Sequence, residues 1–252
     1  MGVSRILGCF FGVCVVFSCG VMPAFAGTPV VAIIIDDLGD HWENGLRAVQ
    51  LPGPVACAVM PYRPYSERFS VEAYLQNKEV LLHLPMEPKT VRFSTPGLLT
   101  HSLSRQEMLS AMYDALHSLP YVDGMNNHMG SLLTSKETHM SWLMQELSLL
   151  DALFFIDSRT SADSVAFSMA KKHGVSSTQR DIFLDHVRDK GSIATKLDET
   201  VQLAKTQGSA LAIGHPYPET LAVLEEVLAR LPEYGVQMVT VSSLLALRKN
   251  GR

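Results

Sequence analysis

Two adjacent carboxylates, Asp36 and Asp37, close the apolar run AIIIDDLG. A buried strand does not tolerate paired like charges unless something nearby compensates them. Further along, polar residues close one apolar segment after another. EVLL runs into His83 and then Glu87, YVDG into Asn126-Asn127-His128, and ALFFI into Asp157-Ser158-Arg159. DIFL is followed by Asp185 and ALAIG by His215. Taken alone, a histidine at such a place reads as a structural hydrogen-bonding residue. A lone aspartate there reads as the cap of the next helix, which is the plain reading of Asp157 and Asp185. Recurrence changes the reading. Three histidines and several aspartates at successive segment ends are a metal-site composition, in which neutral imidazoles and a carboxylate bind a divalent ion and leave a position for water.

Such residues need elements that bring them together. The segments 30–35, 55–60, 79–84, 152–157, 181–185, 210–214 and 237–241 are apolar, rich in β-branched residues and without polar alternation. That pattern predicts strands covered on both faces, as in a parallel sheet. A further, less apolar strand fits 121–129. Helical patterns fill 104–119, 135–150, 161–174, 195–208 and 218–235, the first opening on a capping box of Ser104 and Glu107. Strand and helix in repeated alternation give one α/β domain, either a barrel or an open sheet. In both, the C-terminal strand ends converge on one face, where ligands bind. The Pro- and Gly-containing stretch 85–102 reads as a long loop at the rim of such a face.

Composition narrows the function classes. The chain has 252 residues, 47% hydrophobic and 18% charged, with a net charge of −4. That suffices for one sizeable core and, with no basic excess, speaks against a nucleic-acid partner. Residues 1–26 combine Arg5, an apolar run and Ala24-Phe25-Ala26, the pattern of a secretory signal peptide. On that reading residues 27–252 form one exported domain, periplasmic or secreted, with no stable membrane insertion after cleavage. An uncleaved membrane anchor is the alternative, since the apolar run approaches spanning length. Cys9, Cys14 and Cys19 fall in the signal, leaving Cys57 as a small core residue of a chain that stands without a disulfide. His41, His101, His117, His139, His173 and His186 lie in loops or helical stretches and read as surface or packing residues, and Trp42 as a packing anchor. The oligomeric state is left open.

In order, IIIDDLG, LLHLPMEP, GMNNHMGS, FIDSRT and AIGHPYPET make the chain resemble the divergent branch of the polysaccharide deacetylase family, relatives of the NodB-homology carbohydrate deacetylases. The resemblance runs from about Val30 to about Leu247. It implies a distorted (β/α) barrel of seven or eight mostly parallel strands, a divalent metal, usually Zn²⁺, and removal of acetyl groups from an acetylated polysaccharide. By position it implies Asp36 as general base, Asp37 and His83 as metal ligands and His215 as general acid. Asp157 and Arg159 stand where partners of that acid and base would be supplied. Where the family's His-x-x-x-His motif has its second histidine, this chain has Glu87, so His128 is the implied replacement ligand. That departure keeps a second reading open: a catalytically inactive carbohydrate-binding or envelope-assembly protein on the same fold. A metal-dependent phosphoesterase or a carboxylate-only glycosidase is the remaining chemistry.

Overall fold

Residues 27–90, 95–150 and 152–250, with Met1, are described by a computed structural model. The signal read in residues 1–26 therefore lies, Met1 apart, outside the described residues. The first half runs β1 (Val30–Leu38), α1 (Trp42–Val49), β2 (Ala56–Val59), α2 (Ser66–Leu75), β3 (Val80–Met86), α3 (Arg105–His117), β4 (Val122–Met129) and α4 (Glu137–Leu147). The second runs β5 (Phe154–Asp157), α5 (Ala166–Lys172), β6 (Ser177–Gln179), β7 (Ile182–Phe183), α6 (Lys190–Gln207), β8 (Ser209–Gly214), α7 (Pro218–Val227), β9 (Gln237–Met238) and α8 (Val241–Lys249).

The strands lie in the order β6-β5-β4-β3-β2-β1-β8-β7, with β9 added beside β1, and every pairing is parallel. The two end strands, β6 and β7, are separated in the chain only by Arg180 and Asp181. Two residues cannot cross a flat sheet, so the sheet curls until its edges are neighbours. The link ties both edges: Arg180 N donates to Asp157 O and Asp181 N to Leu211 O. Eight parallel strands thus form the distorted, incompletely closed barrel that the resemblance implied.

Alternation along the strands sorts the core into two layers. Val31, Ile33, Ile35, Leu82 and Phe155 face outward beneath the helices. Val30, Ala32, Ile34, Leu81, Phe154, Ile156, Leu211 and Ile213 fill the interior, joined by Val241, Leu244 and Leu245 of α8. Glu79, just before β3, accepts the Val241 and Ser242 amides and docks α8 at the N-terminal strand ends. The inner rows then continue to the opposite mouth as Asp36, His83, Ser158 and His215. An apolar plug below leaves those polar residues only the C-terminal mouth in which to meet.

Several elements depart from the sequence reading. Helices α1, α2 and α8 and strand β6 were not among the expected elements, and the strand expected at 237–241 shrinks to β9 followed by α8. Helix α6 begins at Lys190 because Asp189 caps it, accepting from Gly191 N and Ser192 N. The helix expected over 218–235 tightens to a 3₁₀ turn at Leu228–Tyr234, within which Pro232 has no N–H to continue it.

Candidate active site

The paired aspartates occupy a β-bulge. Ile35 is in register with Cys57, but the next match is Leu38 with Val59, three residues of β1 against two of β2. Asp37 sits at φ 59°, a left-handed conformation costing a non-glycine residue about 1–3 kcal/mol. A bulge re-aims side chains. Regular alternation would send Asp36 and Asp37 to opposite faces, whereas here both carboxylates reach the barrel mouth. Gly39, at φ 141°, turns the chain away at once; a Cβ there would lie 2.8 Å from Arg63 Cβ.

Asp37 Oδ1 lies 2.7 Å from His128 Nδ1 and 3.1 Å from His83 Nε2. One donor atom from each of the three residues falls within 4.8 Å of the others. Despite that proximity, Oδ1 is buried and receives no well-directed hydrogen bond from any described residue. The ring nitrogens are near it without aiming N–H bonds at it, as expected of donors arranged around a shared cation. On the far side of the His83 ring, Nδ1 lies 2.7 Å from Asn126 Oδ1, while Asn126 Nδ2 donates to Asp36 Oδ1 at 2.7 Å. A carboxylate only accepts, so the Asn126 amide must offer its oxygen to His83. The proton then resides on Nδ1, and Nε2 keeps its lone pair for an ion. The set of one carboxylate and two imidazoles fits a divalent metal. Glu87 takes no part: its Oε2 accepts from His101 N at 2.8 Å and lies 2.7 Å from His101 Nδ1, fixing the loop after β3.

Environment separates the neighbouring carboxyls. Burial raises Asp36 above the ordinary carboxylate range against the pull of His83 and His215. Burial opposes charge on Asp37 too, but its contacts with His128 and His83 outweigh it and hold the group well below that range. Two titratable groups pushed apart by their surroundings take different roles, one to exchange protons and one to stay ionised. Burial works against a charge on His83, yet Asp36 and Asp37 beside it push its pKa up to about 9. Taking up an ion at neutral pH therefore displaces that proton.

His215 faces this group from β8, its Nε2 3.7 Å from Asp37 Oδ2. Its partner is Asp185, whose Oδ1 lies 2.9 Å from His215 Nδ1 and whose Oδ2 accepts from His215 N and Thr220 Oγ1. The pair orients the ring, with Nε2 toward the cavity. Burial disfavours the imidazolium, but the Asp185 hydrogen bond and the nearby carboxylates raise its pKa above the ordinary value. Asp185→Asn is expected to lower the His215 pKa. A general acid works only while protonated, so the basic limb of the pH–rate profile moves to lower pH; an unmoved limb would contradict the assignment.

The other two candidates are placed differently. Asp157 continues the outward row of Phe155, and its carboxylate accepts from Arg159 N, Ser164 Oγ and Phe167 N, bracing the start of α5. Arg159 reaches the cavity wall but donates to Gln179. Other residues make the corresponding contacts: Asp185 lies against His215 and Asn126 donates to Asp36, while Arg180, disfavoured as a charge by burial, is supported by Asp36, Asp157 and Asp185 nearby. His186, read as a surface or packing residue, lines the cavity. Trp42 packs instead on Phe69 and Tyr65. The cavity has a volume of about 430 Å³ and is walled by Asp36, Asp37, His83, His128, Arg159, Arg180, Phe183 and His215 among others. That is the size range of sites for small molecules or single sugars.

A curled parallel barrel carrying a paired-aspartate bulge and facing histidines at its C-terminal mouth defines a class, and the comparisons give it a family. The profile of the divergent polysaccharide deacetylases matches residues 33–245, and the chain belongs to that family. An uncharacterized protein of Haemophilus influenzae is 36% identical over 231 residues, covering 91% of this chain and 82% of that protein. The crystal structure of an uncharacterized protein from Agrobacterium tumefaciens C58 superposes with a TM-score of 0.83 at 22% identity, covering 88% of this chain and 92% of the other. The peptidoglycan deacetylase PdaC from Bacillus subtilis superposes with a TM-score of 0.54 at 15% identity, covering 88% and 93%. At these identities the solved structures speak for the fold.

Proposed function

We propose that this protein is a metal-dependent hydrolase that removes acetyl groups from an envelope or extracellular carbohydrate after export. The reading is carried by the division of labour between Asp36 and Asp37: a carboxyl with raised proton affinity stands beside an ionised one grouped with two imidazoles. Membership in the family and the His215–Asp185 pair opposite support it.

A divalent ion, Zn²⁺ by the chemistry of the donors, would be held by Asp37, His83 and His128 and would supply a polarised water and a Lewis acid for the acetyl carbonyl. Asp36 is placed to accept a proton from the attacking water as the new bond to the carbonyl carbon forms. Asn126 keeps the receiving oxygen in place. The carbon–nitrogen bond of an acetamide, or the carbon–oxygen bond of an acetyl ester, then breaks as His215 Nε2 delivers a proton to the departing atom. Asp185 stabilises the imidazolium before that transfer. The products are acetate and a free amine or hydroxyl. With His128 beside His83, the replacement of the motif's second histidine by Glu87 no longer removes a ligand, which weakens the non-catalytic reading.

Purified protein loaded with Zn²⁺ is expected to release acetate from N- or O-acetylated oligosaccharides and to stop when the metal is chelated. Stoichiometric metal with no acetate from amide-linked or ester-linked substrates would favour the carbohydrate-binding protein instead.

A further inference from the structure

The cavity contains a second set of charges that the proposed reaction does not consume. Arg159 and Arg180 line its wall on the side of β5 to β7, beside Phe183. Both are half-buried. Arg180 Nε donates to Ser158 O at 2.7 Å and Nη2 to Arg159 O at 2.9 Å, with the guanidinium 4.6 Å from the Phe183 ring centre. Arg159 Nη1 donates to Gln179 Oε1 at 3.1 Å. These partners are all neutral, and among the described residues no ion pair reaches either guanidinium. A guanidinium carries five N–H donors, so each retains several for a ligand.

Their placement is rigid. Arg159 sits at φ 50° with its own N–H held by Asp157 Oδ1 at 2.8 Å. Arg180 is the link between the two barrel edges, and its stacking on Phe183 fixes the plane of the fork. Left-handed backbone at a bulky residue persists where the surroundings over-determine it, and such positions cluster at ligand clamps. The charge balance points the same way. Among the described residues, Asp36 and Asp37 are the only carboxylates on the cavity wall, and a divalent cation would offset both. Asp157 and Asp185 support the Arg180 charge from nearby, but neither pairs with it. Two guanidinium forks without a carboxylate partner thus face a concave, partly desolvated site that an anion would complete.

On the hydrolase reading above, we propose that Arg159 and Arg180 receive an anionic substituent of the substrate, so that the acetylated sugar is an acidic one. Carboxylate and phosphate share the geometry that a guanidinium fork grips with two parallel hydrogen bonds. Because both charge sets wall one cavity, a single sugar residue meets the catalytic groups through its acetyl group and the arginines through its acid. Phe183 offers an apolar surface between them.

Three sugars separate the possibilities. N-acetylglucosamine is neutral, N-acetylmuramic acid adds a lactyl carboxylate to the same ring, and N-acetylglucosamine 6-phosphate adds a phosphate. Binding to the Zn²⁺-loaded full chain is measured by calorimetry, with acetate release followed in parallel. One or both acidic sugars are expected to bind at least about tenfold tighter than the neutral one, the scale of a charge-assisted hydrogen bond. Whichever is preferred identifies the anion. Arg159→Gln and Arg180→Gln are each expected to remove most of that preference, leaving metal content and affinity for the neutral sugar unchanged. Arg180→Lys, which keeps the charge without the fork, should fall between. Equal affinity for all three sugars would overturn the proposal, as would a preference that survives both Gln variants. Slowed turnover of the neutral sugar by Arg180→Gln, with discrimination intact, would also overturn it and leave Arg180 as a positioning residue for Asp36. Acid-selective binding without acetate release would sink the hydrolase reading and leave the anion site standing.

Discussion

Asp37→Ala is expected to lose stoichiometric metal and acetate release together. Asp37 is the one carboxylate in the group, its Oδ1 lying 2.7 Å from His128 Nδ1 and 3.1 Å from His83 Nε2 without a hydrogen bond of its own. Removing it leaves two imidazoles to hold a dication with no formal charge among them. Changes to residues that merely support a ligand cost about 10–100-fold in metal affinity, so loss of a charged ligand should exceed about a hundredfold. Asp37→Asn separates charge from shape, since it keeps the side-chain volume on the strained backbone at φ 59° and gives up the anion. Metal content by atomic emission and turnover measured on the same samples decide the matter. Full metal content in Asp37→Ala would remove Asp37 from the ligand set.

Asp36→Asn is expected to do the opposite: metal retained and turnover reduced by about 10²–10⁴, the range for loss of a positioned general base. The substitution is nearly isosteric, and an amide oxygen at this position can still accept from Asn126 Nδ2, which now donates to Asp36 Oδ1 at 2.7 Å. The His83–Asn126 contact is thereby preserved, so His83 keeps its orientation toward the ion. The contrast between adjacent positions is the informative result. If Asp36→Asn also lost its metal, the bulge would be presenting two ligands rather than a ligand and a base. If it retained near-full turnover, proton transfer would have to be assigned elsewhere.

The strands and their polar ends were legible in sequence because buried parallel strands are continuous apolar runs, and a polar residue that ends one stands out. His83, His128, His215 and Asp185 were all visible in this way. Pairing was not. Asp157 and Asp185 look alike at the ends of ALFFID and DIFLD. They differ because Asp157 continues the outward row of Phe155, whereas Asp185 accepts the His215 N–H. The bulge was hidden too, since it exists only in the register of β1 against β2, which the intervening residues 39–55 do not encode locally. Arg180 escaped notice because it lies just past β6, the three-residue STQ with no apolar pattern, in the two-residue link to β7. Gly45 illustrates a further blind spot: a glycine inside a helix argues against α1, yet a Cβ there would lie 2.2 Å from the Phe69 ring, so close packing of α2 demands it.

The most direct test of the account is a crystal structure of the Zn²⁺-loaded protein. The expected result is one ion bonded to an Asp37 oxygen, His83 Nε2 and a His128 ring nitrogen at about 2.0–2.2 Å, with Asp36 outside its coordination sphere. An ion bound away from these three residues, or one that takes Asp36 as a ligand and leaves Asp37 free, would contradict it.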